Sequence, residues 1–385
     1  MSSNNIPVRS KLPTTSTSIF TIMSHLAKQH NAINLSQGFP DFDAPQELIN
    51  LANKYMQNGY NQYAEMRGVA ALRNQIAKKI ERQYGRKINA DNEITITSGA
   101  TQAIYAILTA LLRENDEVII FEPAYDSYVP AIQLSGAKPI YIKMNAPDYK
   151  IPWDDVKRVM NTRTKMIIIN SPHNPTGTML TADDIEQLNR IVRGSNIFVL
   201  SDEVYEHIVF DENHHYSMLM HPELYERSIC TFSFGKTFHT TGWKIGYCVA
   251  PPYLMKEIRK VHQFMVFSVS TPMQYAIAEY LQKEENYMNL SNFYEEKRNY
   301  FLKLIENSSF KYGKAAGSYF QMLDYSNITD EKDTDFAVRL TKDIGVAAIP
   351  ISVFYSNKLD QKMLRFCFAK KNETLEKAAK LLCKI

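Results

Sequence analysis

The sequence predicts an α/β fold in which a mostly parallel sheet is covered by helices on both faces. Between Asn92 and Ala250, short and almost continuously apolar runs alternate with segments of helical periodicity. That pattern is typical of strands buried on both faces of a parallel sheet. With 385 residues the chain is too long for one small core, so a smaller companion domain is expected. Beyond residue 285 the pattern changes to α+β, which places that companion at the C-terminal end.

Each element follows from its own pattern. Helical spacing of apolar residues predicts helices over 19–30, 45–58 and 68–84. Strands are predicted at 93–97, 118–121, 139–144, 165–170, 198–200, 230–232 and 245–249, with helices at 125–134 and 181–192 among them. A helical stretch over 253–282 is broken near Thr271-Pro272, and a long helix near 258–282 is expected to join the domains. The last part alternates helices at 288–308, 334–343 and 374–384 with strands at 318–323 and 363–368.

These elements divide the chain into three segments. Residues 1–45 should form an N-terminal arm and part of the small domain, with a loose and polar stretch over 1–17. Residues 46–285 should form the large domain, which would bind a cofactor. Residues 286–385 should complete the small domain.

Composition and charge narrow the class of protein. Hydrophobic residues make up 45% of the chain and charged residues 22%, as in an ordinary globular protein. The net charge of +3 is too small to indicate nucleic-acid binding. No apolar run approaches the ~20 residues of a membrane span, and the N-terminus lacks the apolar core of a signal peptide. Four cysteines (Cys230, Cys248, Cys367 and Cys383) form no CxxC pair, so we expect free thiols, no metal site and a cytoplasmic protein.

The chemistry centres on Lys236, which lies in a turn between two strand-like runs. A desolvated lysine loses its proton more readily, and a neutral amine can bond to an aldehyde. Ser233 and Lys244 could supply a hydroxyl and a cation to one phosphate. This combination suggests pyridoxal 5′-phosphate, which carries both an aldehyde and a phosphate. The alternative is a surface loop with two lysines.

Three more motifs sit at predicted strand ends. Gly99 begins a helix after a strand, where free N–H groups can bind phosphate, although a plain turn is the alternative. Asp202 follows a buried strand and needs a partner such as a pyridine nitrogen, and Tyr205 could bond the phenolate oxygen of the same ring. A helix N-cap would also explain Asp202. Asn174, in the sequence N-P-T-G, could donate to that phenolate oxygen or simply form a turn, and we predict a cis bond to Pro175.

Arg365 is the one arginine in an apolar strand-like run. An unpaired guanidinium would be unfavourable there, and its planar fork suits a carboxylate. An internal salt bridge is the alternative.

Taken in order, these motifs resemble a known family. The segment S-F-G-K-T-F-x-x-x-G-W-K-x-G-Y, from Ser233 to Tyr247, resembles the cofactor-lysine signature of class I pyridoxal-phosphate aminotransferases, fold type I. The resemblance extends from about Asn34 to Arg365 and is closest to the branch of methionine and kynurenine–glutamine aminotransferases. It implies an aspartate-aminotransferase-like fold with a seven-stranded sheet, pyridoxal 5′-phosphate as cofactor, and ping-pong transamination between an amino acid and a 2-oxo acid.

The resemblance also implies a role for each matching residue. Lys236, Asp202 and Tyr205 would be catalytic, Tyr125 would stack on the pyridine ring, and Arg365 would bind the substrate α-carboxylate. The phosphate would be held by N–H groups of Gly99, Ala100 and Thr101, with Ser233 and Lys244; Asn174 and Gly38 would face the substrate carboxylate. Tyr63 would reach the phosphate of the neighbouring subunit, which implies a homodimer with shared active sites.

The preferred substrate is less closely defined by the sequence. No second arginine is recognisable as a side-chain carboxylate ligand, so aspartate is not favoured, whereas methionine, glutamine, aromatic amino acids and kynurenine are. Relatives usually read Y-A-P-M-x-G where this chain has Glu65 and Arg67, so a charge is expected beside the pocket. A cysteine-S-conjugate β-lyase, which cleaves a carbon–sulfur bond with the same lysine and aspartate, is the alternative function.

Overall fold

The structure is a computed structural model that describes residues 8–13 and 15–385. Residues 1–7 and 14, which belong to the predicted N-terminal arm, lie outside the described residues. In the described part of that arm, residues 8–13 and 15–17 form neither helix nor strand.

Strands and helices alternate through the first two thirds of the chain. The strands are β1 (Ile33–Asn34), β2 (Ile94–Thr97), β3 (Glu117–Glu122), β4 (Lys138–Lys143), β5 (Thr164–Asn170), β6 (Phe198–Asp202), β7 (Ser228–Ser233), β8 (Gly246–Val249), β9 (Phe320–Asp324), β10 (Val346–Ala347), β11 (Ile349–Pro350) and β12 (Met363–Cys367). The helices are α1 (Ile19–Gln29), α2 (Gln46–Gln57), α3 (Ala70–Tyr84), α4 (Gly99–Leu111), α5 (Tyr128–Leu134), α6 (Trp153–Val159), α7 (Ala182–Val192), α8 (Pro222–Tyr225), α9 (Phe234–Thr237), α10 (Pro252–Met265), α11 (Thr271–Tyr280), α12 (Glu285–Met288), α13 (Leu290–Leu304), α14 (Asp333–Arg339) and α15 (Asn372–Leu382).

The large sheet contains the seven strands that the sequence predicts. Their order is β2-β8-β7-β6-β5-β3-β4, and only β8 runs antiparallel to its neighbours. Because β2 and β7 both pair antiparallel with β8, they run in the same direction as β6, β5 and β3. The carboxyl ends of these five strands therefore meet at one edge, where ligands bind in open α/β sheets.

The apolar strand runs reflect burial on both sides of this sheet. Along β3, Val118 and Ile120 pack into one core with α4 and α10, whereas Ile119 and Phe121 pack into the other. All four side chains are buried. Since both faces of the strand need apolar residues, the run shows no polar alternation.

The two ends of the chain pair with each other. β1 forms a parallel ladder with β10, and β9, β12 and β11 form a separate antiparallel sheet. The first 45 residues and the C-terminal part therefore share secondary structure. The division into a large and a small domain, with boundaries at residues 45 and 285, stays a prediction.

Two predicted helices differ from the structure. The single helix expected near 258–282 is two helices, because α10 ends at Met265, Phe267 has a left-handed φ of 66°, and α11 begins at Thr271. The predicted break near Thr271-Pro272 is thereby confirmed. The helix expected from Tyr125 begins only at Tyr128, and Tyr125 itself lies in the turn after β3. Across the described residues, no helix is both long and apolar enough to cross a membrane.

Candidate active site

The carboxyl edge of the large sheet holds a cavity of about 230 Å³. Its lining comes from the segments that follow β2, β3, β5, β6 and β7, together with β12 and the loop after β1. The predicted site residues in its lining are Gly38, Ala100, Thr101, Tyr125, Asn174, Asp202, Tyr205, Ser233, Lys236, Lys244 and Arg365. Gly99 lies directly beside this set, and Tyr63 is outside it.

A larger cavity of about 1030 Å³ shares Asn170 with this one. Among the residues that the structure describes, its lining includes none of Lys236, Asp202 and Arg365. The smaller cavity is therefore the candidate active site, because it collects the groups that can carry chemistry.

Lys236 lies on α9, the single helical turn after β7, and its side chain enters the cavity. The amine donates to the carbonyl of Gly38 at 3.1 Å and to the hydroxyl of Tyr319 at 2.5 Å. Burial lowers the pKa of Lys236 from 10.5 to about 8, and the nearby charges of Arg365 and Lys244 lower it further. The amine is therefore much closer to neutrality at physiological pH than an exposed lysine.

Asp202 ends β6 and is buried at the floor of the cavity. One carboxylate oxygen, Oδ2, accepts a hydrogen bond from the hydroxyl of Tyr128 at 2.6 Å. The other, Oδ1, has no hydrogen-bond partner within residues 8–13 and 15–385. Burial raises the pKa of Asp202 to about 6, against the opposing effect of the Tyr128 hydrogen bond. An unpaired, buried carboxylate oxygen requires a donor, so a ligand is expected there.

Arg365 lies on β12, and its buried guanidinium faces Asn174. One terminal nitrogen donates to Asn174 Oδ1 at 2.7 Å and the other to the Ser36 carbonyl at 3.0 Å. The guanidinium also stacks on Phe320, with Arg365 Cζ 3.9 Å from the centroid of the phenyl ring. Within the described chain it forms no salt bridge, which removes the internal ion pair as an explanation. Burial lowers its pKa to about 10. The predicted cis bond between Asn174 and Pro175 is confirmed.

The start of α4 brings together groups that could bind an anion. Its first turn, Gly99 to Thr101, leaves backbone N–H groups without intrahelical acceptors. Gly99 has a left-handed φ of 72°, and a Cβ there would lie 3.1 Å from Lys244 Nζ. Ser233 adds a hydroxyl at the end of β7. N–H groups, a hydroxyl and an ammonium together suit a phosphate.

Two tyrosines complete the wall. Burial raises the pKa of Tyr125 to about 12, and it raises the pKa of Tyr205 further. Both hydroxyls therefore remain protonated at neutral pH and can donate hydrogen bonds. Tyr205 packs edge-on against Tyr319, with ring centroids 5.1 Å apart.

Tyr63 and its neighbours lie elsewhere on the surface. The Tyr63 side chain is 84% exposed and contacts the ring of Phe267 edge-on at 5.4 Å. Glu65 is engaged by two guanidinium groups, those of Arg67 and Arg73. The charge expected beside the pocket is thus neutralised within the chain and does not line the cavity.

Sequence reasoning missed three residues that the structure adds to the site. Tyr128 bonds Asp202, Tyr319 bonds Lys236, and Phe20 of α1 lines the cavity beside Arg365. Each belongs to an apolar helix or strand pattern, in which an aromatic residue is normally predicted to lie in the core. Such a pattern does not predict which residue a tyrosine hydroxyl or an aromatic ring will contact.

Known proteins match this chain along nearly its whole length. Residues 30–382 match the sequence profile of the family described as aminotransferase class I and II. A methionine aminotransferase of Escherichia coli is 48% identical over 383 residues, with 99% of each chain covered. A kynurenine–oxoglutarate transaminase of Dictyostelium discoideum is 32% identical, with 96% of this chain and 94% of the other covered.

Solved structures agree with these sequence relationships. A crystal structure of an Escherichia coli protein with a methionine aminotransferase function, 48% identical, superposes with a TM-score of 0.97 over 99% of this chain and 100% of the other. A Thermus thermophilus aspartate aminotransferase variant, 25% identical, gives a TM-score of 0.90, with coverage of 99% and 100%. The fold is therefore that of the aspartate aminotransferases, and the chain belongs to the class I and II aminotransferases, which are pyridoxal-phosphate-dependent enzymes.

Proposed function

We propose that this chain transfers the amino group of methionine to a 2-oxo acid, with pyridoxal phosphate bound at Lys236. Family membership supplies the reaction class. The composition of the cavity supports the proposed site for the cofactor and substrate. It brings together a buried amine of lowered pKa, a buried carboxylate with an unpaired oxygen, and a guanidinium without a carboxylate partner in the described chain.

The residues present fit pyridoxal phosphate. When bound, the cofactor supplies an aldehyde that bonds amines and a ring that withdraws electrons from the substrate. The anion-binding corner (Gly99, Ala100, Thr101, Ser233 and Lys244) would hold its phosphate. Asp202 Oδ1 would accept from the ring nitrogen, which supplies the donor that this oxygen lacks. Tyr125 would stack on the ring, and Tyr205 and Asn174 would donate to its phenolate oxygen.

The substrate would be bound by its carboxylate. Arg365 offers two terminal nitrogens, and Asn174 and Gly38 lie at the same end of the cavity. Lys236, with a pKa of about 8, can remove the proton from the substrate Cα and return it to C4′ of the cofactor. Since amino donor and 2-oxo acid acceptor both carry an α-carboxylate, the same arginine serves them in turn, as ping-pong kinetics require.

Methionine as donor is supported by the relative of 48% identity and by the cavity wall. Phe20, Ile104 and Phe320 make the wall apolar, and Arg365 is its one arginine among the described residues. Among the described residues, an acidic substrate side chain would therefore find no second arginine in this wall. Glutamine, aromatic amino acids and kynurenine are further donors, and the Dictyostelium relative supports kynurenine.

A homodimer with shared sites is the assembly that we propose. Four exposed aromatic and apolar side chains lie on or near α10 and the loop around Tyr63. They are Tyr63, Phe264, Met265 and Phe267, with 84%, 88%, 42% and 43% of each residue exposed. Such a concentration is typical of an interaction surface. Tyr63 would complete the phosphate site of the partner subunit. The buried free thiols of Cys230, Cys248 and Cys367 support a cytoplasmic location.

A screen of half-reactions tests the proposed function. The protein is loaded with pyridoxal phosphate, and the absorbance of the lysine-bound cofactor is followed after each amino acid is added without a 2-oxo acid. We expect methionine to decrease this absorbance fastest and aspartate slowest. The Lys236→Ala variant should show no such decrease with any amino acid. Faster reaction with aspartate would contradict the proposal. Pyruvate release from a cysteine conjugate at a comparable rate would indicate the β-lyase instead.

A further inference from the structure

Tyr319 contacts the reactive nitrogen of Lys236, although no motif marked it. Its hydroxyl accepts from Lys236 Nζ at 2.5 Å and donates to the carbonyl of Gly38. The lysine amine also donates to that carbonyl, at 3.1 Å. Nζ, the tyrosine oxygen and the Gly38 oxygen therefore form a closed triangle of hydrogen bonds at the cavity wall.

The triangle suits both protonation states of the lysine. An ammonium donates to the hydroxyl and the carbonyl, and the hydroxyl donates to the carbonyl. A neutral amine still donates to the carbonyl and can accept from the hydroxyl, since a hydroxyl is both donor and acceptor. Only the tyrosine hydrogen needs to rotate. The nitrogen can therefore gain or lose a proton without moving.

The surroundings hold the tyrosine ring in one place. Tyr319 is fully buried, and its ring packs against Tyr205 at 5.1 Å, Phe320 at 5.0 Å and Tyr294 at 5.8 Å between centroids. A Cβ on Gly38 would lie 2.7 Å from the Phe320 ring, so the carbonyl is close-packed as well. Both acceptors of the lysine are thus rigid.

We propose that Tyr319, together with the Gly38 carbonyl, is the positioning residue that holds the Lys236 amine when the lysine is not bonded to the cofactor. The inference deepens the proposed function and rests on it, because the amine must be free of the cofactor while it moves the substrate proton. Without the hydroxyl, the nitrogen would keep one of its two acceptors and sample positions away from the substrate.

The test compares Tyr319→Phe with Tyr294→Phe. Tyr294 is a matched control, because it is equally buried and packs on Tyr319, but its hydroxyl bonds His239 Nδ1 at 2.9 Å. Reductive methylation of Lys236 in the cofactor-free full chain is measured over a pH series by mass spectrometry, since only the neutral amine reacts. The loss of one acceptor destabilises the ammonium, so Tyr319→Phe should lower the pKa of Lys236 from about 8 to about 7. Tyr294→Phe should leave it unchanged.

The methionine half-reaction gives the second measurement. Tyr319→Phe should slow its limiting rate roughly tenfold while the half-saturating methionine concentration changes little, as expected for a group that acts after substrate binding. Tyr294→Phe should react like the wild type. If Tyr319→Phe matches the wild type in both the methylation profile and the rate, the inference is wrong.

The outcome is separable from that of the proposed function. A wild-type protein that does not react with any amino acid would overturn the function, whereas the methylation profile would still report on Tyr319. If Tyr319→Phe does not fold, a crystal structure of the wild type with pyridoxamine phosphate tests whether Tyr319 holds the Lys236 amine. Lys236 Nζ within hydrogen-bond distance of both the Tyr319 hydroxyl and the Gly38 carbonyl supports the inference, and Nζ turned away from Tyr319 contradicts it.

Discussion

Burial of Lys236 has two effects: it lowers the pKa of the amine, and it lowers the stability of the folded protein. Its pKa falls from 10.5 to about 8 because the side chain is buried, and each pKa unit is worth about 1.4 kcal/mol. Burial of the charged lysine at pH 7 therefore lowers the free energy of unfolding of the cofactor-free protein by up to about 3 kcal/mol.

Lys236→Met should accordingly stabilise the cofactor-free protein at pH 7. Between pH 8 and 10.5 the folded wild type binds fewer protons than the unfolded chain, so its stability rises with pH and the advantage of the variant disappears. Urea unfolding at pH 7 and pH 10 measures both effects. Lys79→Met is the control, because Lys79 is buried and paired with Glu206 at 2.6 Å, so its loss should destabilise the protein. A Lys236→Met protein less stable than the wild type at pH 7 would refute this account.

Asp202 is expected to act by charge rather than by shape. Asp202→Asn keeps the volume and the contact with Tyr128 but removes the negative charge beside the unpaired oxygen. We expect the methionine half-reaction to slow by roughly 10²-fold or more, while the cofactor still bonds to Lys236. Asp333→Asn is the control. Asp333 is a buried carboxylate that accepts from Ser352, so its replacement should affect stability but not this rate. A rate for Asp202→Asn within threefold of the wild type would exclude the proposed role.

At the scale of elements, the start of α4 is the proposed phosphate site. Gly99→Ala places a methyl group at a left-handed φ of 72° and 3.1 Å from Lys244 Nζ. Strain of about 1–2 kcal/mol and the displaced lysine should weaken cofactor affinity tenfold or more. Gly85 is the matched control, since its φ is 68° and a Cβ there meets nothing within 4 Å. Gly85→Ala should lower stability by a similar strain and leave affinity intact, and equal affinities for the two variants would count against the site.

Elements with a strong local pattern were the ones that the sequence predicted well. All seven strands of the large sheet were predicted, because most of them are buried and largely apolar, whereas the edge strand β4 is a short apolar run between two exposed lysines. Two-residue strands such as β1 and β10 were missed, since so short a segment has no periodicity. The joining helix was wrong because Phe267 turns the backbone out of helical geometry before Thr271.

Site residues also divide into those with a local sequence signal and those without one. That Lys236, Asp202 and Arg365 would line a cavity was predictable, because a charge in an apolar setting needs a partner. Tyr128 and Tyr319 were not, because their hydroxyl contacts depend on tertiary packing between segments distant in sequence. Tyr63 could be assigned to the neighbouring subunit only by resemblance.

At the scale of the whole molecule, the site is assembled from both ends of the chain. Arg365 donates to the Ser36 carbonyl and Lys236 to that of Gly38, so the loop after β1, the helical turn after β7 and strand β12 meet there. The proposed dimer would add a fourth segment, Tyr63 of the partner subunit.

Mixing two inactive variants tests this shared site. Lys236→Ala lacks the amine, and Tyr63→Ala lacks the residue proposed to reach the partner. After subunit exchange, a hybrid dimer would contain one site with both residues intact, so roughly a quarter of the wild-type activity should return at equal mixing. Two separate preparations combined without exchange are the control. No recovery, despite hybrid dimers detected by native mass spectrometry, would contradict a shared site.

The capture of pyridoxal phosphate by Lys236 is the central claim, and reductive trapping measures it most directly. The cofactor-loaded wild type is reduced with borohydride, digested and analysed by mass spectrometry, with and without prior addition of methionine. We predict a cofactor adduct on the peptide that carries Lys236, and its loss after methionine has converted the cofactor to its amine form. An adduct on another lysine, or none at all, would contradict the account.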